Sequence, residues 1–348
     1  MITKRQEQKG GKDMKKIINN PENFVDDTMK GVMKAYKGKL TLLNGDPRIV
    51  LSAYPKKAGK VGIVTAGGSG HLPLFLGYVG QGMLDGCAVG NVFASPSAQK
   101  MADMIRACDS GSGVLCLFGN YGGDVMNFEM AREFVEFDDI KTTVALGRDD
   151  VASSSKATAE KRRGVAGIVY AYKIAGAAAE NMMNLEEVTQ IAQKALDNTC
   201  TIGVATSPCI VPEVGKPTFS IKENEIEIGM GIHGEPGIEV ATMMTANEIA
   251  EMMLAKIIED MPLDKGDEVS VMINGLGSTP LEEQFIVYGR IHELLEELGV
   301  SVYMPHIGEF ATSMEMSGLS ATVIKLDSQL KTFLEATAKT PFYTNYNK

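Results

Sequence analysis

Short apolar runs that alternate with helical segments constrain this chain more than any other feature of its sequence. In the first half, the runs 61–64 (VGIV), 113–118 (GVLCLF) and 141–146 have the composition of strands. The run 113–118 is continuously apolar, which is typical of a strand that is buried on both faces of a sheet. Helical patterns cover 23–36 and 165–181, and further helices are expected after Ser95-Pro96 and from Val125. This order predicts an α/β layered fold.

The second half repeats this pattern, and 348 residues exceed the size of one typical hydrophobic core. We therefore predict two α/β domains, each with a mostly parallel or mixed sheet flanked by helices. The expected division is a flexible leader at 1–13, an N-terminal domain at 14–198 and a C-terminal domain at 199–348. The strands of the second half are expected near 201–206, 225–228, 268–273, 300–303 and 322–326, and its helices at 237–262 and 280–298.

Charge and hydropathy exclude several classes of partner. The chain has 44 acidic and 34 basic residues and a net charge of -10, which argues against a general nucleic-acid or anionic-membrane surface. Its most apolar stretch, 164–179, is interrupted by Lys173 and is too short to span a membrane. A small molecule or another protein is the expected partner.

Cysteine and histidine usage argues against disulfides and metal sites. The five cysteines form no CxxC pair, and most lie within apolar runs, so we expect buried free thiols in a reducing cytoplasm. The four histidines are widely spread and show no HExxH spacing. No metal is predicted on this chain.

Four glycine-bearing loops follow strands of the predicted sheets, at 66–71, 119–124, 229–237 and 274–279. Ligands of open α/β sheets usually bind beyond the carboxyl ends of strands, where such loops converge. Three of the loops carry a group that can transfer a proton or attack an electrophile, namely His71, Asp124 and His233. These three residues are the candidate catalytic groups.

Each candidate also has a structural interpretation. A glycine-rich turn after a strand often serves only the geometry of the turn. Asp124 could act as the N-cap of the helix expected from Val125. The other two histidines, His292 in a helical pattern and His306 after a proline, are expected to be structural.

The chain lacks the usual nucleotide-binding signatures. No GxxxxGK[ST] sequence occurs, and neither a kinase lysine set nor a dinucleotide-type GxGxxG stands in its required context. If the protein takes part in phosphoryl transfer, we expect the nucleotide and its magnesium on another chain.

Five segments together resemble the substrate-binding subunits of dihydroxyacetone kinases. They are AGGSGHLP (66–73), GNYGGDVMNFEMA (119–131), KRRGVAG (161–167), MGIHGEPG (230–237) and INGLGSTPLEE (273–283). The resemblance extends from about residue 14 to residue 342. It implies a two-domain α/β subunit, a homodimer in most of the family, that binds dihydroxyacetone as a hemiaminal between a histidine and the ketone carbon. The matching histidine is His233.

The resemblance also implies roles for the other candidates. His71 matches a second active-site position and is suited to exchange a proton with the adduct. Asp124 would orient the terminal hydroxyl and accept its proton as the oxygen attacks phosphorus. The turn of Gly68, Ser69 and Gly70 up to His71 matches the substrate contacts. In this family a second subunit or domain supplies the phosphoryl group from magnesium-bound ATP, or from ADP recharged by a phosphotransferase-system protein.

Two positions depart from the family pattern. Gly119 stands where the family often has a substrate-contacting lysine, and Leu72 stands where it often has a glutamate. The identity of the ketose therefore stays open between dihydroxyacetone and a four-carbon ketose such as erythrulose. A ketose sensor that acts as a transcriptional co-regulator is the alternative to an enzyme, although the complete 119–131 loop with Asp124 favours the enzyme.

Overall fold

The computed structural model describes residues 15–346, so the predicted leader at 1–13 lies outside the described residues. The helices of eight residues or more are α1 (Phe24–Ala35), α2 (Ala98–Cys108), α3 (Gly122–Glu136), α4 (Ile168–Glu180), α5 (Leu185–Asp197), α6 (Ala246–Asp260), α7 (Leu281–Glu297) and α8 (Ser328–Glu335). The strands are β1 (Leu40–Leu42), β2 (Ile49–Ser52), β3 (Gly62–Ser69), β4 (Gly86–Val92), β5 (Val114–Gly119), β6 (Thr142–Gly147), β7 (Thr199–Ser207), β8 (Glu225–Ile228), β9 (Glu239–Thr242), β10 (Glu268–Gly275), β11 (Ser301–Val302), β12 (His306–Gly308), β13 (Ser317–Leu326), β14 (Ala338–Lys339) and β15 (Thr344–Asn345).

Two mixed sheets organise the molecule. The first has the strand order β1-β2-β4-β3-β5-β6. Strands β4, β3, β5 and β6 are parallel to one another, and β2 is antiparallel to both of its neighbours, β1 and β4. The second has the order β11-β10-β13-β7-β8-β9, with β12 also paired to β10. The predicted fold class, sheets of mostly parallel or mixed strands flanked by helices, is confirmed. The second sheet begins at β7, and the division into domains at 198/199 stays a prediction.

Helix α4 joins the interiors of the two halves. It packs with α5 against the first sheet and with α8 of the second half, and its residues from Ile168 to Ala179 are buried. The same apolar core includes Met272 and Ile324 from the second sheet. On the outer faces, α2 and α3 cover the first sheet, and α6 and α7 cover the second.

Several helix boundaries differ from the predicted ones because capping residues decide where a helix begins. Helix α2 starts at Ala98 because Ser97, rather than Ser95, caps it by accepting a hydrogen bond from the Lys100 amide. Helix α6 starts at Ala246, where Thr245 and Glu248 form a capping box. The predicted helical start at 237 was wrong because 239–242 is strand β9, which pairs with β8.

The glycine-rich segment after β3 is also different from the prediction. Residues 66–69 belong to the strand instead of forming a turn. Gly67 and Gly68 serve close packing: a Cβ at Gly67 would lie 2.0 Å from the Phe75 ring, and one at Gly68 would lie 2.7 Å from the Ala94 amide. Only Gly70, with φ of 103°, has the backbone conformation that requires glycine in a turn.

Residues 15–346 were expected to contain no membrane-spanning helix and no metal site. None of the helices described there is long and apolar enough to cross a membrane. That part of the chain also contains no group of three or more histidine, cysteine, aspartate or glutamate side chains placed to hold a metal ion. Its five cysteines are free and buried.

Candidate active site

The parallel strands of the first sheet end at one edge, and two of the candidate groups, together with Phe93, follow these ends. His71 follows β3, Phe93 follows β4, and Asp124 lies in the first turn of α3 directly after β5. The His71 and Phe93 rings are stacked, with centroids 4.9 Å apart. The sheet topology therefore brings together residues that are far apart in the sequence.

His233 reaches this edge from the second half of the molecule. It lies in the loop between β8 and β9, and its ring packs edge-on against His71, Phe93 and Tyr121 at centroid distances of 4.7, 5.2 and 4.8 Å. The side chain is 22% exposed, so solvent reaches it. The site thus consists of one loop of the second sheet placed against three strand ends of the first.

Glu235 determines the tautomer of His233. Its Oε1 lies 3.0 Å from His233 Nδ1, and its Oε2 accepts a hydrogen bond of 3.0 Å from the His233 amide. Burial raises the pKa of Glu235, but hydrogen bonds and charge interactions with His233 outweigh it and hold this pKa at about 2. Because a carboxylate only accepts, Nδ1 carries the proton and the Nε2 lone pair is left free to act as a nucleophile.

His71 has the same tautomer for a different reason. Its Nδ1 donates a 2.8 Å hydrogen bond to the Thr312 carbonyl oxygen, which leaves Nε2 unprotonated. The side chain is fully buried, and burial, with a smaller effect from His233, lowers its pKa to about 3. His71 is therefore a neutral hydrogen-bond acceptor at neutral pH.

Asp124 is a buried carboxyl group with a raised pKa. Burial raises this pKa to about 6, against smaller lowering effects from a hydrogen bond with Ser95 and from the charge of His233. Helix α3 begins at Gly122 with Tyr121 as its N-cap residue and no side-chain cap, so the interpretation of Asp124 as a cap was wrong. A carboxylate whose pKa lies near 6 can act as a general base at neutral pH.

Unpaired polar atoms concentrate at this site. Within residues 15–346, five buried side-chain nitrogen or oxygen atoms have no hydrogen-bond partner, and three of them are His71 Nε2, Asp124 Oδ1 and Tyr121 Oη. Buried polar atoms are rarely left unpaired in folded proteins, and functional sites are a common exception. His71 Nε2 and Asp124 Oδ1 are suited to accept hydrogen bonds from a hydroxylated ligand.

The segment of Gly68, Ser69 and Gly70, which is the end of β3 and the residue after it, is tightly packed beside His71. Ser69 donates a 2.8 Å hydrogen bond to the Gly90 carbonyl, and a Cβ at Gly70 would lie 2.8 Å from the Phe93 ring. Behind this segment, a mainly apolar cavity of about 250 Å³ extends to α1. Gly68, Ser69 and Gly70 line this cavity, but neither His233 nor Asp124 does, so we place the chemistry at the histidines rather than in this cavity.

Gly119, the last residue of β5, lies against the aromatic group beneath His233. A Cβ built there would lie 3.1 Å from the Tyr121 ring and 3.3 Å from the Gly164 carbonyl. A side chain at this position must therefore pass the Tyr121 ring. Its predicted role in substrate binding stays a prediction.

The remaining histidines lie outside this cluster. His292 is on the surface of α7 and faces Glu296, and His306 Nε2 lies 3.0 Å from the Tyr343 hydroxyl. In the fourth predicted loop, Asn274 hydrogen-bonds the backbone of Phe310 and Ala311, just before the Thr312 carbonyl that fixes His71.

Comparison with known proteins places this geometry in a family. The Dak1 domain model matches residues 30–342. The chain belongs to the Dak1 family. A Listeria innocua relative, named as the dihydroxyacetone-binding subunit DhaK of a PTS-dependent dihydroxyacetone kinase, is 41% identical over 330 residues, which cover 95% of this chain and 99% of that protein.

Two further relatives show the range of the Dak1 family. A D-erythrulose kinase of Mycolicibacterium smegmatis is 40% identical, and the match covers 95% of this chain and 56% of that protein. The solved structure titled as the dihydroxyacetone kinase operon co-activator Dha-DhaQ superposes with a TM-score of 0.85 at 30% identity, covering 92% of this chain and 98% of the other. Family membership as a dihydroxyacetone kinase-type subunit, the main prediction from the sequence, is confirmed.

Sequence reasoning missed the residues that support the three candidates. Glu235, Arg163, Phe93 and Tyr121 all contact the His233 region, and the Thr312 carbonyl fixes His71. Glu235 had a usable signal, since an acid two residues after a histidine in a tight glycine turn can reach its ring. Phe93 and Thr312 had none, because only the sheet topology brings them to the site.

Proposed function

We propose that this protein binds a short ketose covalently on His233, and that a separate nucleotide-bearing subunit phosphorylates the bound sugar. The observation that carries the proposal is the His233–Glu235 hydrogen bond, which presents a neutral Nε2 beside His71 and Asp124. The ketose is dihydroxyacetone or a related sugar, and the reaction is phosphoryl transfer to an alcohol. Relatives named as dihydroxyacetone-binding subunits support this choice.

The first step forms a bond between His233 Nε2 and the ketone carbon. The carbonyl π electrons move to oxygen, which takes a proton from solvent and becomes the hemiaminal hydroxyl. The imidazole now carries a positive charge, and the Glu235 carboxylate at Nδ1 is its counter-ion. The new hydroxyl can donate a hydrogen bond to His71 Nε2, which has no proton of its own.

The second step uses Asp124. Its carboxylate accepts the proton of the terminal hydroxyl while the oxygen attacks the phosphorus of the donor. In the proposal, magnesium and ATP, or ADP recharged by a phosphotransferase-system protein, belong to the partner subunit. We also propose a homodimer in the cytoplasm, in keeping with the buried free thiols.

A covalent step explains how the protein would select a ketose over a polyol. Glycerol has similar hydroxyl groups but no carbonyl carbon for His233 to attack. Hydrogen bonding without a covalent bond would distinguish a ketose from glycerol poorly, because both would present terminal hydroxyls to Asp124.

Native mass spectrometry tests the proposal. Incubation with dihydroxyacetone should add the mass of one ketose to the wild-type chain and none to His233→Ala, while glycerol adds nothing. His292→Ala is the matched control, because it removes an imidazole on the surface of α7 and should keep the adduct. An adduct on His71, or full kinase activity of His233→Ala with the partner subunit, would show the assignment to be wrong.

The co-regulator alternative has one observation in its favour, the similarity to the Dha-DhaQ structure. Such a sensor would form the adduct without turnover. Reconstitution with a nucleotide-bearing subunit separates the two: ketose phosphate formed in the presence of ATP or of the phosphotransferase system supports the enzyme, and an adduct without turnover under both conditions supports the sensor.

A further inference from the structure

Two neighbouring arginines in the loop before α4 point to different acidic groups. Arg162 forms a bidentate ion pair with Asp260, with Nη–Oδ distances of 2.6 and 2.7 Å. Arg163 pairs instead with Asp150, through Nε at 2.9 Å and Nη2 at 2.8 Å. Both guanidinium groups are largely buried. Only Arg163 faces the loop that carries His233.

Arg163 connects Asp150 to the partner of His233. Its Nη1 lies 3.8 Å from Glu235 Oε2, an ion pair, and its Nη2 donates a 2.9 Å hydrogen bond to the Gly229 carbonyl at the start of the His233 loop. Charged groups of alternating sign thus run from Asp150 through Arg163 to Glu235, which in turn hydrogen-bonds the ring of His233. The protein interior strengthens such interactions relative to water.

The small residue Gly231 leaves room for this contact. A Cβ at Gly231 would lie 2.0 Å from Glu235 Oε2 and 2.4 Å from Arg163 Nη1. Any side chain there would enter the space that the carboxylate and the guanidinium share. The glycine before Ile232 and His233 in the loop therefore serves the approach of Arg163 to Glu235.

We infer that Arg163 is a positioning residue, which acts on His233 through Glu235. Oε2 of Glu235 accepts the His233 amide hydrogen and faces Arg163, so holding Oε2 also aims Oε1 at His233 Nδ1. Arg163 thereby fixes the tautomer and the ring direction that leave Nε2 free. This inference rests on the proposed function of His233 and goes beyond it by assigning the support of the nucleophile.

The loss of Arg163 should act on His233 before any substrate is present. Glu235 is 31% exposed, and without its cationic neighbour its side chain can rotate toward solvent. The ring of His233 would then lose the acceptor at Nδ1 and populate both neutral tautomers. Only part of the His233 population would then have a free Nε2 lone pair, which lowers the affinity for ketose.

The experiment compares three variants by ¹⁵N NMR of His233 in the ketose-free protein and by steady-state kinetics with the partner subunit. Arg163→Gln removes the charge, and Arg163→Lys keeps a cation for Asp150 that cannot also contact Glu235 and Gly229. Arg162→Gln is the matched control, because it removes an adjacent buried arginine whose ion pair with Asp260 lies away from His233. Circular dichroism establishes that each variant is folded.

In wild type and Arg162→Gln, we expect one His233 tautomer with the proton on Nδ1. Both Arg163 variants should show a mixed tautomer population and a KM for ketose raised about tenfold or more, with kcat at saturating ketose changed less. Arg163→Lys, which preserves the Asp150 pair, keeps the inference testable if Arg163→Gln does not fold.

Failure of this inference can be told from failure of the proposed function. A wild-type tautomer ratio in Arg163→Lys, with a KM no different from that of Arg162→Gln, would overturn the positioning role. If wild type forms no ketose adduct while the Arg163 variants still shift the His233 tautomer, the positioning role stands and the proposed function fails.

Discussion

The rings of His71 and His233 meet edge to face, with centroids 4.7 Å apart and planes inclined by 82°. They follow strands of different sheets, and each holds its Nδ1 proton through its own acceptor, the Thr312 carbonyl for His71 and Glu235 for His233. Two imidazole rings in contact repel each other if both are in the positively charged, doubly protonated form. Burial keeps His71 neutral, so a positive charge can develop on His233.

The first prediction concerns the protonation of His71. Because burial lowers its pKa to about 3, the ring should stay neutral at pH 5. Below about pH 6.5 the unfolded histidine binds a proton that the folded one does not. The free energy of unfolding therefore falls as the pH drops from about 6.5 to 3. NMR titration of labelled histidine measures this, and a His71 midpoint at or above pH 6 would contradict the burial argument.

The second prediction concerns Asp124. Asp124→Asn should keep the ketose adduct but lower turnover about 10²-fold or more, because a positioned base is lost. In the wild type, kcat/KM should fall as the pH drops below about 6, where this carboxylate becomes protonated. Glu129→Gln, an exposed acid of the same helix, is the control and should keep its activity. Unchanged turnover in Asp124→Asn would remove Asp124 from the mechanism.

Asp124 also gives a third prediction, on stability. Its raised pKa means that ionisation disfavours the folded state, so stability falls as the pH rises from about 4 through 6. Asp124→Asn should therefore stabilise the protein by about 1–3 kcal/mol at pH 7.5 and much less at pH 4. Urea unfolding at both pH values measures the difference. An equal effect at the two values would show that ionisation is not the cause.

The fourth prediction concerns substrate size at Gly119. Without the lysine that the family often has there, the site should accept erythrulose at least as well as dihydroxyacetone. A charged hydrogen-bond donor contributes about 1.5–3 kcal/mol, enough to change a preference tenfold or more. The measurement is kcat/KM for dihydroxyacetone and both erythrulose enantiomers in wild type, Gly119→Lys and Gly119→Ala.

The alanine variant separates crowding from charge at Gly119. Its Cβ would press on the Tyr121 ring without adding a donor. A shift toward dihydroxyacetone in the lysine variant alone supports the lost donor as the cause. A strong wild-type preference for dihydroxyacetone that neither substitution alters would refute the prediction.

The fifth prediction concerns Lys173, which interrupts the apolar helix α4. Its ammonium group is buried and donates a 2.6 Å hydrogen bond to the Phe333 carbonyl, and burial lowers its pKa to about 7. Stability therefore falls as the pH drops from about 10 to 7, because the unfolded lysine binds a proton that the folded one does not. Lys173→Met should stabilise the protein by about 1–3 kcal/mol at pH 7.

Urea unfolding of Lys173→Met at pH 7 and pH 9.5 measures this effect, which should shrink at the higher pH. Lys256→Met, on the exposed side of α6, is the control and should change stability by less than about 0.5 kcal/mol. A destabilised Lys173→Met at both pH values would show that the bond to Phe333 outweighs the desolvation of the ammonium group.

The sequence predicted the strands that bear the site better than it predicted how they assemble. Most of the run GVLCLF became β5, and the structure brings His71 and His233, which were chosen because glycines around a histidine leave it few packing partners, into contact. The turn at 66–69 was misassigned because glycine serves tight packing as well as turns, and only the Phe75 contact distinguishes the two. Arg163 could not be assigned, because its direction toward Asp150 rather than Asp260 depends on the fold.

Helix α4 has a consequence for how substrate enters. Its turns are buried between the two halves, and Gly176 approaches the Met83 backbone so closely that a Cβ there would lie 2.4 Å from the Met83 Cα. The apolar core that contains α4 also includes Met272 and Ile324 of the second sheet, so separating the two halves would expose this core to water. We therefore expect a ketose to reach the site past the exposed part of the His233 side chain, without separation of the halves.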